Sequence, residues 1–231
     1  LGTGVVNVPA LPYTSTGRTT CGKVNDLTAA NTLICGNTSY LTGEDEVFVF
    51  TPTTTGNITI NLTSTGSYTG IMLYRGCPVT ASCSGTASTC EAFEQSSTGG
   101  KSLCANVTAG QTYYLVVDSW TAPSCNPYGI SITAPAAVLS GATCANAVNI
   151  PSLPYTVLNE STACTGNDYT NASIGSCGTL YETGEDKVYQ FTSAGAECIS
   201  ITLSGTSSNS IGYQVYSGCP GGGGTCIKSF G

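Results

Sequence analysis

Histidine is absent from the sequence, tryptophan and methionine occur once each, and charged residues make up only 8% of the chain. Without histidine, neither a Ser-His-Asp nor a Cys-His nucleophile can be built. Lys and Arg total 6 against 13 Asp and Glu, which gives a net charge of -7. Because so few cations cannot neutralise many phosphates, we expect no nucleic-acid partner. No apolar run approaches the roughly 20 residues that span a bilayer, so we expect no membrane insertion.

Helical periodicity is missing as well. Short segments of alternating apolar residues lie between Gly, Pro, Asn and Ser, and this pattern predicts β-strands at 47–50, 58–62, 71–74, 113–117 and 129–133. We therefore predict an all-β chain built from antiparallel β-sandwiches of the jelly-roll or immunoglobulin-like type. Phe48 and Phe50 share one face of the first strand, and Tyr189 and Phe191 hold the same places later in the chain. These four aromatic residues are predicted to be core residues.

The chain repeats itself in several separate blocks. The first copy reads VNVPALPYT, TGEDEVFVF and MLYRGCP, and the second reads VNIPSLPYT, TGEDKVYQF and QVYSGCP. Matches spread over so many blocks indicate a duplication. We predict two tandem β-sandwich domains, with repeat 1 at 1–135, a linker at 136–143 and repeat 2 at 144–231. Repeat 2 has no counterpart of the last two predicted strands, so we expect it to be truncated or completed by another chain, and we favour truncation.

The 13 cysteines include no Cys-x-x-Cys pair. Disulfides in an oxidising compartment are therefore predicted rather than a zinc site. Polar loops separate cysteines that are neighbours in the sequence, and we predict that these neighbours pair: Cys21 with Cys35, Cys77 with Cys83, Cys90 with Cys104, Cys164 with Cys177, and Cys219 with Cys226. Cys125, Cys144 and Cys198 are left without assignment, and a bridge from Cys125 to Cys144 is one alternative. In the repeat alignment Cys226 falls near Cys83.

Acidic and amide side chains recur at the entrances of strands in both repeats. Calcium takes six to eight oxygen ligands, which loops supply readily, so calcium is the cofactor that these clusters suggest. The candidate metal ligands are Asn25, Asp26, Glu44, Asp45 and Asp118 in repeat 1, and Asn167, Asp168, Glu185 and Asp186 in repeat 2. No spacing matches an EF-hand loop, and a plain turn before a strand explains the same residues.

Catalytic motifs do not emerge from the sequence. The glycines at 221–224 are not followed by Lys-Ser or Lys-Thr, so a phosphate-binding loop is excluded. Glycosidases need only two carboxylates. However, they usually surround the sugar with several aromatic residues, and this chain has one tryptophan. We therefore expect no enzymatic activity. Trp120 is the candidate for contact with a sugar or a protein, and packing against the sandwich edge is the alternative.

Asn-x-Ser/Thr sequons are frequent, and each is a candidate for glycosylation. They begin at Asn37, Asn57, Asn61, Asn106, Asn159 and Asn171. A chain rich in Asn and Thr produces many such motifs by chance, so their use depends on the host.

A set of motifs carries a resemblance to a known group of proteins. The motifs are CANAVNIPSLPYT, CTGNDYT, GEDKVYQF, SGCPGGGGTC and YYLVVDSW. Together they resemble the tandem extracellular modules of secreted and cell-surface proteins of the Bacteroidetes group. Those modules are similar in turn to bacterial pre-peptidase C-terminal domains, which are small β-sandwiches. The resemblance covers repeat 1 and what exists of repeat 2.

The resemblance implies a non-catalytic accessory or adhesive module. Such domains accompany secreted proteases or large adhesins, and some bind calcium, polysaccharide or insoluble protein. Carried over to this chain, it implies a calcium-binding turn at Glu44 and Asp45 and again at Glu185 and Asp186, although relatives that bind calcium commonly have an Asp-rich version of this turn.

Three functions therefore stand as hypotheses for this chain. The first is an adhesion or attachment module of a secreted or cell-surface protein, binding extracellular polysaccharide or a protein surface. The second is a structural subunit of an extracellular fibre or surface layer, in which copies of the chain share strands. The third is the substrate-attachment module of a secreted hydrolase.

Overall fold

A computed structural model of the chain describes residues 4–63, 65–79, 88–120, 125–174, 177, 182, 184–206 and 210–230. The protein is all-β, as the sequence predicts. Its chain divides into two compact units, unit 1 at Leu1–Val138 and unit 2 at Leu139–Gly231. Among the described residues, no helix is long and apolar enough to cross a membrane.

Unit 1 contains two β-sheets. Its strands are β1 Val6–Asn7, β2 Tyr13–Thr19, β3 Glu46–Phe50, β4 Gly56–Thr63, β5 Thr69–Arg75, β6 Thr89–Ser96, β7 Lys101–Val107, β8 Tyr113–Ser119 and β9 Pro127–Ile132. One sheet has the order β1-β3-β8-β5-β6, and the other has the order β2-β9-β4-β7. Neighbours are antiparallel except β1 and β3, which are parallel. The five predicted strands are confirmed as β3, β4, β5, β8 and β9, whereas β1, β2, β6 and β7 were not predicted.

The two sheets of unit 1 pack face to face around one apolar core. Phe48 and Phe50 of β3 contribute to it from one sheet, and Ile58, Ile60 and Leu62 of β4 from the other. All five side chains are at most 3% exposed. Burying each such side chain contributes about 1.5–3 kcal/mol. The predicted burial of Phe48 and Phe50 is confirmed.

A second apolar cluster lies on the other face of the five-stranded sheet. There Val47, Met72 and Val116 pack against Leu27 and Leu41, which belong to the long segment between β2 and β3. This segment includes a 3-10 helix at Thr38–Leu41 and forms a third layer over the sheet. The central strands of that sheet are therefore buried on both faces.

The disulfides join segments that are far apart in sequence. The bridges between described residues include Cys21–Cys125, Cys35–Cys90, Cys144–Cys219 and Cys177–Cys226. The predicted pairs Cys21–Cys35, Cys90–Cys104, Cys164–Cys177 and Cys219–Cys226 are therefore wrong, and so is the alternative Cys125–Cys144. Cys77, Cys104 and Cys164 are also disulfide-bonded. Cys83 lies outside the described residues, and Cys198 is free and exposed.

Sheet topology explains the failure of pairing by sequence neighbours. Strand β2 runs antiparallel to β9, with Thr19 opposite Pro127, so the chain just after β2 lies beside the chain just before β9. Cys21 and Cys125 occupy these two places. The segment between Cys90 and Cys104, for example, is not a closed loop but contains parts of β6 and β7, which lie in different sheets.

The bridges also correct the alignment of the two repeats. Cys90 bonds Cys35, and Cys226 bonds Cys177, the counterpart of Cys35. The strand registers agree, because Tyr74 faces Cys90 and Tyr216 faces Cys226. The counterpart of Cys226 is therefore Cys90 and not Cys83.

Over the residues that the structure describes, unit 2 has fewer strands than unit 1. They are β10 Val148–Asn149, β11 Tyr189–Gln190, β12 Tyr213–Ser217 and β13 Thr225–Phe230, with one helical turn, α1, at Asn171–Ile174. Strands β10 and β11 form a parallel pair, and β12 and β13 an antiparallel pair. Tyr189 is half-buried and Phe191 is 36% exposed, so the predicted burial of Phe191 is wrong for unit 2. Among the described residues, β11 pairs only with β10, whereas its counterpart β3 is flanked by both β1 and β8.

Candidate functional site: an exposed aromatic surface above an acidic turn

The acidic turn before β3 holds the preceding loop in place. Asp45 Oδ2 accepts hydrogen bonds from the backbone N–H groups of Asp26 and Leu27, at 2.8 and 2.9 Å. Glu44 Oε2 accepts a hydrogen bond from the N–H of Gly22 at 3.0 Å. A carboxylate that accepts backbone amides ties down a loop that would otherwise leave buried donors without partners.

Unit 2 repeats this arrangement. Asp186 Oδ2 accepts from the N–H of Tyr169 at 2.9 Å, and Glu185 Oε1 accepts from the N–H of Cys164 at 3.0 Å. The acidic turn therefore does the same structural work in both repeats, which is the plain-turn alternative that the sequence left open.

Asp118 joins the acidic turn from the end of β8. Its Oδ1 accepts from the N–H of Gly43 at 3.2 Å and from that of Ser119 at 2.6 Å. Its Oδ2 is buried and has no hydrogen-bond partner among the described residues. Burial raises the pKa of Asp118 to about 8, and the nearby charge of Asp45 adds to this rise. Burial likewise raises the pKa of Asp45 to about 6.

The other predicted metal ligands are less buried than Asp45 and Asp118. Asn25, Asn167, Asp168 and Glu185 are exposed, whereas Asp26, Glu44 and Asp186 are half-buried. In the described part of the chain, the only close group of three potential ligands is Cys21, Glu44 and Cys125, and its two cysteines are bonded to each other. Calcium would therefore find one buried oxygen without a partner, on Asp118, and a neighbouring carboxylate, on Asp45. This is a poor match to six or more ligands, and calcium stays a prediction.

A buried ion pair beside the turn was missed by the sequence reasoning. Arg18 donates to Glu46 from Nε at 3.1 Å and from Nη2 at 2.6 Å, and Lys23 Nζ lies 3.3 Å from Glu46. The hydroxyl of Tyr128 donates to the same carboxylate. Burial opposes ionisation of Glu46, but the hydrogen bonds from Arg18 and Tyr128 outweigh it and lower its pKa. Arg18 also lies over the ring of Phe48, 4.9 Å from its centroid.

The same pair occurs in unit 2 with its charges exchanged. Glu160 stands where repeat 1 has Arg18, and Lys187 stands where it has Glu46. Lys187 and Glu160 form an ion pair, and the hydroxyl of Tyr189 donates to Glu160 at 3.0 Å. This reciprocal charge exchange between the aligned repeats was the signal from which the pair could have been found. In unit 1, Arg18, Lys23 and Glu46 line an open polar cavity of about 380 Å³.

Trp120 lies directly after β8 and forms an exposed aromatic surface with Tyr68. Trp120 is 39% exposed and Tyr68 is 42% exposed. Their ring centroids lie 5.2 Å apart, with the ring planes at 88°. The buried Tyr40 supports Trp120 from beneath, with centroids 6.0 Å apart. We call Tyr68 and Trp120 the aromatic surface. The alternative prediction was that Trp120 packs against the sandwich edge. This describes the contact of the Trp120 ring with Tyr40, but not the part of that ring that is exposed.

The backbone of Tyr68 has a strained conformation where its ring lies beside Trp120. Tyr68 has φ 57°, in the left-handed region that bulky residues rarely adopt. Its carbonyl accepts a hydrogen bond from the N–H of Trp120 at 2.9 Å. The buried Asn126 donates from Nδ2 to Thr69 Oγ1 at 2.9 Å and to the carbonyl of Ser67 at 3.4 Å. These bonds on both sides hold the turn that presents the Tyr68 ring.

Two glycines bring the acidic turn and the aromatic surface together. A Cβ on Gly43 would lie 2.2 Å from Ser119 Oγ, so only glycine lets the turn approach the end of β8. A Cβ on Gly70 would lie 3.1 Å from the Tyr40 ring, so glycine also lets Tyr40 pack against β5. The acidic turn thus packs against Ser119, the residue before Trp120.

The six sequons fall on two kinds of position. Asn37, Asn159 and Asn171 are exposed, whereas Asn57, Asn61 and Asn106 are half-buried on β4 and β7. Asn57 Nδ2 donates to Asn106 Oδ1 at 3.2 Å across these strands. The first three are therefore the accessible acceptors, and glycosylation stays a prediction for all six.

Comparison with known proteins adds no family assignment. No protein-family model, no curated protein and no solved structure matches this chain. The disulfides indicate an oxidising environment, as the sequence predicts. The function must therefore be argued from the geometry of the aromatic surface itself.

Proposed function

We propose that this protein is a non-catalytic attachment module of a secreted or cell-surface protein, and that unit 1 contacts its partner through the aromatic surface. The observation that carries the proposal is the exposed pair of Tyr68 and Trp120. Exposed aromatic residues held rigidly by their neighbours are typical of binding surfaces, because they offer a large contact area at a low cost in conformational entropy. The resemblance to adhesive extracellular modules supports the same function.

Polysaccharide is the partner that fits this surface best. Sugar rings present C–H groups that pack against aromatic faces, while their hydroxyls hydrogen-bond to surrounding polar groups. Ser67 and Thr42 are exposed polar residues next to Tyr68 and to the acidic turn. The net charge of -7 makes a phosphate-rich partner a poor alternative. A protein surface remains the other occupant to be tested.

The absence of catalysis is part of the proposal. The chain has no histidine to act as a general base. The carboxylates of Asp45 and Glu46 accept hydrogen bonds from the protein itself, and Asp118 is fully buried. These contacts favour a structural role for the three carboxylates.

The test uses Trp120 as its own reporter, since it is the only tryptophan in the chain. The protein is titrated with a panel of soluble extracellular polysaccharides while its intrinsic fluorescence is recorded. We expect one class of polysaccharide to shift the emission of Trp120 and to be retained by the immobilised protein. Trp120→Ala and Tyr68→Ala are each expected to weaken retention at least about tenfold, as for a central contact residue.

Phe93→Ala is the matched control. Phe93 is also an exposed aromatic residue of unit 1, at 51%, but it takes no part in the ring contacts of Trp120. Retention that falls equally in Phe93→Ala would show general hydrophobic adsorption. Retention that is unchanged in Trp120→Ala and Tyr68→Ala would refute the aromatic surface as the binding site.

A further inference from the structure

Two of the few cations of unit 1 lie together at one open polar cavity. Arg18 and Lys23 line this cavity with the single carboxylate of Glu46. Its volume of about 380 Å³ lies within the roughly 300–1,000 Å³ that small-molecule sites occupy. The chain has 6 Lys and Arg against 13 Asp and Glu, so a cavity lined by two cations and one carboxylate reverses the charge balance of the whole protein. We call it the cationic cavity.

The local structure of β2 holds the walls of the cationic cavity. The pairing of β2 with β9 shifts its register at residues 15–18, and Gly17 has φ 66° at this irregularity. On the other side, Gly22 has φ 81° in the turn that follows β2. The disulfide Cys21–Cys125 ties this turn to the chain before β9. The cavity is therefore formed by backbone that is fixed before any ligand binds.

Glu46 neutralises one of the two cations and not both. Arg18 donates to both oxygens of Glu46, from Nε to Oε2 at 3.1 Å and from Nη2 to Oε1 at 2.6 Å, and the hydroxyl of Tyr128 donates to Oε2. Lys23 adds a second positive charge 3.3 Å from Oε1, and 43% of its side chain is exposed against 21% for Arg18. An ammonium has three donors on a flexible stem. The charge of Lys23 is therefore available to a ligand in the cavity.

A carboxylate on a sugar is the ligand that this cavity fits. A carboxylate brings one negative charge, which matches the one surplus cation, whereas a phosphate group brings about two. Thr16 and Thr19 line the same cavity, and their hydroxyls suit the hydroxyls of a sugar ring. Uronic acids combine one carboxylate with such a ring. The net charge of -7 opposes an anion over long distances, but this field is screened within about 8 Å at physiological ionic strength.

The cationic cavity lies at the same end of unit 1 as the aromatic surface, because the buried Asn126 joins them. Its backbone N–H donates to Thr20 Oγ1 at 3.0 Å, and its carbonyl accepts from the N–H of Thr20 at 3.1 Å. Thr20 stands between two residues that line the cavity. The side chain of Asn126 binds residues 67 and 69, on either side of Tyr68. Neighbouring sugars of one polysaccharide chain can therefore contact both places.

We propose that the cationic cavity is a subsite for the carboxylate of a uronic acid residue, and that the polysaccharide bound by unit 1 is an acidic one. Lys23 Nζ donates to the carboxylate of the ligand, while Arg18 neutralises Glu46. The aromatic surface packs against a neighbouring sugar of the same chain. The statement about the polysaccharide rests on the proposed function of the aromatic surface, whereas the carboxylate subsite does not.

The first test uses monosaccharides, so that it does not depend on Trp120. The methyl glycosides of glucuronic acid and galacturonic acid are titrated into the isotope-labelled full chain, and the backbone amides of Gly17, Gly22 and Lys23 are followed by NMR. Methyl glucoside and methyl galactoside are the matched neutral ligands. A chelator is present throughout, so that calcium cannot bridge two carboxylates. We expect saturable shifts from at least one uronide and none from the neutral sugars.

Variants of Lys23 show whether its charge binds the uronide. Lys23→Gln is expected to weaken the uronide affinity about fivefold or more, because a charge-assisted hydrogen bond is lost. Its melting temperature is expected to stay close to that of the parent chain, since Arg18 and Tyr128 still hold Glu46. Lys23→Arg keeps the charge and is expected to recover the affinity. Lys228→Gln changes an exposed lysine of unit 2 and is the matched control, with no expected effect.

The second test asks whether one polymer contacts both places. The polymer of the uronide that binds is compared with its methyl ester, which has the same sugars without the charge. Retention by the immobilised protein is measured for both. Trp120→Ala is expected to weaken the retention of the acid and of the ester, whereas Lys23→Gln is expected to weaken that of the acid alone.

Several results would overturn the proposal. Equal shifts from uronides and neutral sugars, no shift at the three amides, or an unchanged uronide affinity in Lys23→Gln would remove the carboxylate subsite. Retention of the acidic polymer that does not depend on Lys23 would separate the cavity from the aromatic surface. Each of these results leaves the retention of other polysaccharides through Trp120 intact. Conversely, uronide binding in the cavity without any retained polysaccharide would refute the proposed function of the aromatic surface and the acidic polymer with it.

Discussion

The two units contain the same sequence blocks and yet differ in structure. The ITINL segment of unit 1 is part of an eight-residue strand, whereas ISITL of unit 2 forms no strand. The alternation of β-branched and apolar residues is equal in both. The difference is the presence of neighbouring strands, so strand formation here is decided by pairing and burial and not by intrinsic propensity.

The acidic turn, in contrast, makes the same contacts in both units. In both units its aspartate accepts backbone amides of the ND-containing loop about 20 residues earlier, with N–O distances of 2.8 to 2.9 Å. This interaction involves only segments that both repeats contain. It therefore persists in unit 2, where most of the sandwich core of unit 1 has no counterpart. Among the described residues of unit 2, local hydrogen bonds and the disulfides Cys144–Cys219 and Cys177–Cys226 stand in place of that core.

The largest predicted effect concerns the equivalent disulfides. Cys35–Cys90 encloses 55 residues and Cys177–Cys226 encloses 49. Loop-closure entropy makes each worth about 4 kcal/mol. We expect the double variant Cys177→Ser/Cys226→Ser to unfold unit 2, because few buried apolar side chains remain to hold it. The variant Cys35→Ser/Cys90→Ser is expected to leave unit 1 folded but less stable. Hydrogen exchange read by mass spectrometry, unit by unit, distinguishes the two results, and equal protection losses in both units would contradict the comparison.

The next effect concerns the two ion pairs, Arg18–Glu46 and Lys187–Glu160, in which the acidic and basic positions are exchanged between the units. In unit 1 the carboxylate of Glu46 is 2% exposed, so Arg18→Ala would leave a buried charge that Lys23 only partly compensates, at a cost of about 3 kcal/mol. Arg18→Met with Glu46→Leu removes both charges and is expected to recover most of this loss. In unit 2 Glu160 is 36% exposed, so Glu160→Ala is expected to cost less than about 1 kcal/mol. Urea unfolding followed by hydrogen exchange measures both, and equal costs would contradict the role of burial.

A third effect is expected from pH. The folded pKa of Asp118, about 8, lies above the ordinary value of 3.8. Between these values the folded state holds more protons than the unfolded state, so the stability of unit 1 falls as pH rises from about 4 to about 8. Asp118→Asn mimics the protonated form and is expected to flatten this dependence. Thermal unfolding at pH 5 and pH 8 tests it, and an unchanged pH dependence in the variant would contradict the assignment to Asp118.

Bound calcium would reverse the expected loss of stability at higher pH. An ion at Asp118 and Asp45 would stabilise unit 1 at pH 8, where it competes with fewer protons. Added calcium would then raise the melting temperature, a chelator would lower it, and Asp118→Asn would remove both responses. A melting temperature that calcium and chelator leave unchanged would refute the metal site.

The sequence predicted what depends on local patterns, and failed where distant segments meet. Five strands, the core positions of Phe48 and Phe50, and the duplication follow from alternation and self-similarity. Strand β6 was missed because its burial does not alternate regularly, since the five-stranded sheet has a register shift between Leu73 and Tyr74. The disulfide pairs were wrong because their partners are set by sheet order, which no spacing along the chain encodes.

The candidate site was predicted only in part, for the same reason. Trp120 was predicted as a candidate contact residue because it is the only tryptophan and stands at a strand end, but Tyr68 was not predicted. The two rings meet because β5 and β8 are neighbours in the sheet, with Thr69 opposite Ser119. The acidic residues were identified correctly as a recurring feature. Their backbone partners lie in another segment, so their role as loop anchors required the structure.

The smallest effect on stability should accompany a large effect on binding. Tyr68 has φ 57°, which glycine adopts without strain, and unit 2 has Ser210 at the aligned position. Tyr68→Gly relieves the backbone strain, which stabilises unit 1 by about 1 kcal/mol. It also loses the ring contact with Trp120, which destabilises unit 1 by about 1 kcal/mol. We expect the stability of unit 1 to change by less than about 1 kcal/mol while polysaccharide retention is lost. Chemical denaturation and the retention assay measure the two quantities on the same variant. If Tyr68 served only the fold, the variant would lose stability while polysaccharide retention stayed intact. That result would remove the aromatic surface as the feature that distinguishes unit 1 from unit 2.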